Sequence, residues 1–419
     1  MLPVSYSLRN LSRRRFRTLL TLAGVTIVVL LISILSAFHR SITQSFERAA
    51  DPAKIYLISH GAESDPIRSA IERGEAEQAA ADLPAIYEDE NGRHVSVEVH
   101  QVTTIRVPTG SAAAGAGPPR TSTEASASAS ASASADSDSD ESAYEEVTAI
   151  MRGITPKAFL FHDDALIVEG REPRGDFEVL VGDLAAERMG VPRAALGVGS
   201  SFAFEGATWN VVGRFVAPGQ PIEAELWFDL DDLMTVSRRT DVTLVAARLA
   251  SPEDVDLVDL VLNETRQDLQ LIVQTEEQWY AELLRLMEPI ALIVQALGAL
   301  VLIGGVIGSA NTLYAAAIGR TQEMAVLQTL GYRRLEIALG LLIESLMIAL
   351  LGGLIGVALA AAVGDVAVRL PMGAIRVAAG PSDIWVGLAA AGAIGVAGTI
   401  VPAWRVAQTR VLDALQGSS

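Results

Sequence analysis

The sequence predicts a membrane protein with four transmembrane α-helices, one N-terminal and three C-terminal, and a large α+β extracytoplasmic domain between the first helix and the second. Three observations point there. Half of the 419 residues are hydrophobic and the mean hydropathy is +0.34, yet the formal net charge is −18. Charge and apolarity are segregated: residues 40–285 hold 43 Asp+Glu against 20 Lys+Arg, and the rest of the chain holds 7 against 12. The apolar residues gather in long runs, each with at most one charge, of the length a bilayer requires.

The first run, residues 18–39, follows Arg9, Arg13, Arg14, Arg15 and Arg17. It is longer than a signal-peptide core and leads into Ser-Ala-Phe-His-Arg rather than a small-x-small cleavage site, so it reads as an uncleaved anchor behind a basic N-terminal segment, residues 1–17. Further spans are expected at about 289–315, 336–364 and 384–404, within a C-terminal domain over 286–410. Arg320, Arg333 and Arg334 lie between spans two and three and Arg405 and Arg410 after span four, whereas the loop between spans three and four has only Arg369 and Arg376. Short basic flanks stay inside. Both termini are therefore expected in the cytoplasm, with residues 40–285 outside the cell (inner) membrane. Gly304 and Gly308, Gly352 and Gly356, and Gly395 with Gly392 and Gly398 are candidate packing positions, because small residues let helices approach closely.

The outer region is long enough to fold by itself. His94 to Val107 alternates as a half-buried strand does, and so does Val147 to Met151. The stretch from Ser201 to Gly213 reads as a β-hairpin turning at Gly206. Ser251-Pro-Glu-Asp starts a helix, which with strands at Val242–Leu249 and Leu269–Gln274 forms a β-α-β unit. Residues 111–142, an Ala-Ser tract followed by Asp-Ser repeats, are too polar to bury a core and are expected to be a disordered insertion.

Several chemistries are excluded. There is no cysteine, so no disulfide or thiolate site. The two lysines, Lys54 and Lys157, follow Ala53 and Pro156, so neither ends a phosphate-binding Gly-Lys-Ser/Thr loop. No G-x-S-x-G, G-x-G-x-x-G or H-E-x-x-H motif occurs. His94 and His100 share strand parity and His162 precedes Asp163 and Asp164, but both groups read as surface features rather than a metal site. No catalytic, cofactor or metal residue is expected. The acidic outer region offers nucleic acid no basic face.

The run Arg320, Thr321, Gln322, Glu323, Met324, Ala325, Val326, Leu327, Gln328, Thr329, Leu330, Gly331, followed by Glu344-Ser-Leu, the glycines from Gly352 and Val401-Pro-Ala-Trp-Arg-Val-Ala, resembles the MacB/FtsX-type ABC permease family. Ser7-Leu-Arg-Asn-Leu with Arg17-Thr-Leu-Leu-Thr-Leu-Ala-Gly is similar to that family's approach to its first helix. Arg152-Gly-Ile-Thr-Pro, Glu169-Gly-Arg, Val181-Gly-Asp-Leu-Ala-Ala and Trp209-Asn-Val-Val-Gly resemble its MacB-type periplasmic core. The ordered set covers most of the chain outside residues 60–145. The resemblance implies a permease subunit driven by a separate ABC ATP-binding subunit that holds ATP and Mg. It further implies a dimer with a second permease copy or paralogue, and a periplasmic adaptor or lipoprotein carrier as a further partner. Motion would be relayed across the membrane to extrude or release a hydrophobic compound, peptide or lipoprotein. The alternative within the same resemblance is a cell-division relay that activates an external cell-wall hydrolase without transport.

The residues fit such a coupling element. At about 100° per residue, Met324, Val326, Leu327 and Leu330 share an arc of roughly 160°, opposite Thr321, Gln322, Gln328 and Thr329, and Gly331 then stops the helix. An amphipathic helix of this kind inserts into a partner groove or lies on membrane lipid; the resemblance favours the ATPase. Glu344, the ionisable residue inside an apolar span, is expected to hold an interhelical polar contact rather than carry protons.

Overall fold

The computed structural model describes residues 15–62, 66–108, 144–318, 326–364, 366–370 and 373–408. The insertion at 111–142, the N-terminal segment through residue 14, and Arg320, Thr321, Gln322, Glu323 and Met324 lie outside the described residues. The chain forms two compact units. One comprises the chain up to Ser41, Met287–Val366 and the chain from Val377; the other comprises Ile42–Leu286 together with Ala367–Arg376.

Four long helices are α1 (Arg15–Ala49), α2 (Glu276–Ile318), α3 (Arg334–Ala362) and α4 (Pro381–Gln408). Their segments Thr18–Ser45, Met287–Thr312, Arg334–Ala362 and Pro381–Trp404 are long and apolar enough to cross a membrane. Two of the helices outrun the spans read from the sequence by ten residues or more. The α1 helix continues past residue 39 to Ala49, because no glycine or proline interrupts it before Pro52. The α2 helix does not begin at Pro289 but passes through it. Its start at Glu276 is set by a reciprocal cap: the Thr275 hydroxyl accepts from Gln278 N–H at 3.1 Å, and the Gln278 amide oxygen accepts from Thr275 N–H at 3.0 Å.

The outer unit is built on a mixed ten-stranded sheet. Its strands are β1 (Lys54–Ser59), β2 (Val95–Pro108), β3 (Tyr144–Ile154), β4 (Leu166–Gly170), β5 (Glu178–Gly182), β6 (Ser201–Phe204), β7 (Ala207–Val216), β8 (Leu226–Asp229), β9 (Leu244–Arg248) and β10 (Leu271–Thr275). The order across the sheet is β10-β1-β9-β2-β3-β8-β5-β7-β4, with β6 beside β7 and β2. Strands β2 and β3 are the two expected from alternation. The hairpin turn falls at Glu205 and Gly206, both at positive φ as a tight twisted hairpin demands. Ser251 does start a helix: its hydroxyl accepts from Glu253 N–H, and the Asp254 carboxylate accepts from Ser251 N–H at 3.0 Å. The β-α-β expectation is corrected in one respect. Strands β9 and β10 are not neighbours, because β1 lies between them and runs antiparallel to both.

Alternation splits the buried side chains between the two sheet faces. Val179, Val181, Leu226 and Phe228 belong to the larger core, and Leu180, Phe215 and Trp227 to a smaller core on the opposite face. The chain between α3 and α4, read from the sequence as a plain loop of the permease domain, is a β-hairpin, β11 (Val366–Leu370) and β12 (Gly373–Val377). Its residues Ala367–Arg376 belong to the outer unit.

Candidate functional site

Of the expected coupling segment, Val326, Leu327, Leu330 and Gly331 are described. Residues 326–329 are helical and the chain turns at 330–331. Gly331 has φ +93°, Gly331 N–H bonds Gln328 O at 3.1 Å, and Tyr332 N–H bonds Leu327 O at 3.2 Å. These two bonds make a Schellman cap, in which the left-handed residue is most cheaply a glycine. Leu327 and Tyr332 pack on buried Ile337, completing the cap's apolar contact. The expected apolar face is therefore divided: Leu327 turns inward, whereas Val326 and Leu330 are 49% and 70% exposed. The α3 helix then starts at once, with Glu336 accepting from Arg333 N–H at 3.0 Å.

The expected packing glycines separate into two groups. A Cβ on Gly352 would lie 3.0 Å from the Leu22 carbonyl oxygen, and one on Gly356 2.7 Å from that of Thr26, so α3 and α1 meet backbone to backbone there. Thr26 Oγ1 donates to Gly352 O at 3.1 Å. Gly395 faces Ala349 and Leu346, and Ser345 donates to its carbonyl at 3.0 Å. Gly304 and Gly308 have no neighbour within 4 Å among the described residues; the packed glycine of α2 is Gly305, facing Val28 and Ile394. One residue is about 100° of helix rotation, enough to turn a glycine off a seam. Glu344 is half-buried beside Ser345. In the same unit Asp383 is buried and accepts from Arg40 Nε at 2.9 Å and Ser36 Oγ at 2.8 Å.

A second constellation was missed by sequence reading. Arg152 on β3 is paired in register with His100 on β2 and Trp227 on β8, so all three project from one sheet face. Arg152 donates to Glu98 at 2.7 Å and, through two nitrogens, to Glu225 at 2.7 and 2.9 Å. Trp227 Nε1 donates to Glu225 at 2.9 Å, His162 Nε2 lies 3.2 Å from Glu98, and His100 Nε2 lies 3.5 Å from Glu225. All of these residues are buried. Burial alone would raise Glu98, but the charges and hydrogen bonds of His162 and Arg152 outweigh it and hold the carboxyl at about 2. Glu225 is likewise held at about 2, against burial, chiefly by Arg152. Burial, helped by the Arg152 charge, pushes His100 down to about 4. Nearby, Glu276 at the root of α2 accepts from the Tyr56 hydroxyl at 2.8 Å and Asp51 N–H at 3.1 Å, and burial raises its carboxyl.

The histidines read from the sequence as surface features are instead buried, and they are dispersed. His94 lies 3.2 Å from Asp89, away from His100 in the ionic cluster. Asp163 pairs with Lys54 and Arg248, both at 2.9 Å, and Asp164 accepts from Gln220 at 2.7 Å. Among the described residues no three His, Asp or Glu converge as metal ligands. The cluster around Arg152 has its charges bonded to one another, and its chemistry is that of a cross-brace between strands.

Comparison with known proteins agrees with this two-part architecture. Residues 18–262 match the family model of the MacB-like periplasmic core domain, and residues 296–411 that of the FtsX-like permease C-terminal domain. A macrolide export ATP-binding/permease protein MacB of Acinetobacter baylyi is 32% identical over 124 residues, covering 30% of this chain and 19% of that protein. The MacB of Agrobacterium fabrum is 30% identical over 128 residues, covering 30% and 20%. The chain thus spans about a fifth of the length of the curated relatives it matches. The crystal structure of the periplasmic region of MacB from Actinobacillus actinomycetemcomitans aligns at 10% identity with a TM-score of 0.37, covering 56% of this chain and 94% of that one. The extracellular domain of the noncanonic ABC-type transporter YknZ from Gram-positive bacteria aligns at 10% identity and a TM-score of 0.33, covering 53% and 100%. With four membrane-length helices, a sheet-rich outer unit largely covered by the first match and a C-terminal helical part largely covered by the second, the chain belongs to the MacB/FtsX-type ABC permease family.

Proposed function

We propose that this chain couples ATP hydrolysis on a separate ABC ATP-binding subunit to extrusion or release of a hydrophobic compound, peptide or lipoprotein at the outer face, by motion relayed across the membrane. The observation that carries the reading is the helix end at 326–331. Val326 and Leu330 are exposed while Leu327 and Tyr332 hold the cap onto Ile337, so two apolar side chains stand on a braced turn directly ahead of α3. A braced apolar knob suits insertion into a partner's groove. In this reading the arginine-flanked ends of the helices face the cytoplasm, Ile42–Leu286 is external, and two permease chains work as a pair. A periplasmic adaptor or lipoprotein carrier would dock on the outer unit.

Leu330→Asp tests it. The full chain is purified from native membranes in mild detergent, and the co-purified ATP-binding subunit and its ATPase rate are measured. The substitution should lower co-purification at least about tenfold while the amount of chain in the membrane holds, because a charge placed in an apolar groove is left without a partner. Undiminished recovery of the ATPase with Leu330→Asp would sink the assignment. Leu327→Asp is the poorer probe, since Leu327 is committed to the cap.

A further inference from the structure

The β11–β12 hairpin meets the rest of the outer unit at a small and specific place. Ala374 is fully buried against Leu184 and Ala224, with Ala367 beside them. Arg376 bonds the Asp183 carboxylate and lies 3.8 Å from Glu223. Arg369 covers Gly190, which has φ +83°; a Cβ there would collide with the guanidinium. Asp183 is a hub, because Arg193 donates to it at 2.8 Å and Arg214 at 3.2 Å as well.

Three features make this contact easy to undo. Its apolar part includes the methyl groups of two alanines, which bury little apolar surface. Asp183 keeps Arg193 and Arg214 when Arg376 leaves, so the dock stays satisfied without the hairpin. Arg376 is 41% exposed while docked and is hydrated at once on release. A fourth feature shows that the docked state is not fully satisfied: Glu223 is buried, and its Oε2 has no hydrogen-bond partner among the described residues.

We propose that β11–β12 is a releasable latch, held on the outer unit by Arg376 at Asp183 and by Ala374 between Leu184 and Ala224, that opens and recloses while the outer unit stays folded. The latch connects α3 and α4 to the Asp183 hub, and its part in the transport cycle rests on the function proposed above. Opening itself is read without transport, so the two ideas fail separately.

The chain contains no cysteine, so Ala374→Cys supplies a unique thiol at a fully buried position. In the full chain in lipid nanodiscs, a water-soluble maleimide should label it slowly, at a rate unchanged by urea below the unfolding transition, as local opening requires. Adding Arg376→Gln should raise the rate about fivefold, the effect of losing one partly exposed ion pair. Adding Arg193→Gln should leave it within about twofold, because that change spares the hairpin's own arginine. Labelling indifferent to Arg376→Gln, or labelling that tracks unfolding in urea, overturns the latch. Should Ala374→Cys fold poorly, Ala224→Cys, which is buried beneath the hairpin, serves the same measurement. For the role in the cycle, Ala374→Cys with Ala224→Cys is oxidised to lock the hairpin. Loss of coupled ATPase activity that reductant restores supports that role, and full activity in the locked chain overturns it.

Discussion

In the outer unit Glu98 on β2, Arg152 on β3, Glu225 just before β8 and His162 just after the short helix Ala158–Phe161 are buried together and bonded to one another. In the membrane unit the contacts between α1, α3 and α4 are made largely by glycines, alanines and valines, with hydroxyl donors on backbone carbonyls, and Asp383 in the first turn of α4 meets Arg40 of α1. The difference follows from what each unit has available. A sheet core has cross-strand neighbours that can surround a charge with partners. Packed membrane helices have their backbone groups already bonded internally, so they gain most from close approach and little from burying ions.

Arg152→Met should have the largest effect. It leaves two buried carboxylates without their shared cation, a situation that costs about 3–5 kcal/mol, and urea unfolding of the full chain followed by tryptophan fluorescence measures it. Acid should attack the same place without mutation. The folded values of Glu98 and Glu225, about 2, lie below the ordinary carboxylate range of roughly 4. The unfolded chain therefore takes up protons first, and this part of the stability is complete above about pH 5 and is lost as pH falls toward 2. His100 adds in the same direction. Its folded value of about 4 lies below the usual value of about 6.5, so its contribution falls between those pH values. An outer unit equally stable at pH 7 and pH 3 would remove the cluster from the account.

Substitutions in the membrane unit sharpen the other half of the comparison. Gly356→Ala puts a Cβ 2.7 Å from the Thr26 carbonyl and should cost about 1–3 kcal/mol in detergent-phase thermal unfolding. Gly331→Ala should cost about 1 kcal/mol, read as faster amide exchange at 326–332, because alanine must take φ +93°. Gly304→Ala should change little in the isolated chain, having no neighbour within 4 Å among the described residues. A loss at Gly304 equal to that at Gly356 would mean that α2 packs through a face different from the one Gly305 marks.

The strands at 95–108 and 144–154 and the hairpin at Gly206 were legible because strand and turn signals are local: a two-residue period and a left-handed turn position. The capping of Ser251 was legible for the same reason. Arg152 shows the limit. In the sequence it is one arginine before a glycine, with Glu98 and Glu225 far away on either side, and only strand order places the three together. Arg376 shows it again: the residue counted only as sparse charge outside the membrane is the hairpin's ionic contact with Asp183. Gly304 and Gly305 differ by one position, and no local pattern says which faces a neighbour.

By itself the sequence determined the layout of four membrane-length apolar runs with a charged region between the first two, because transfer into lipid depends on length and apolarity and not on fold. It also determined the segment type of the strongest local motifs and the stop at Gly331. Tertiary structure alone decided that β1 lies between β9 and β10, that the α3–α4 connection belongs to the outer unit, and which charges are buried as partners. Those outcomes are set by pairings between residues far apart in the chain, whose energies appear only once the sheet has brought them into contact.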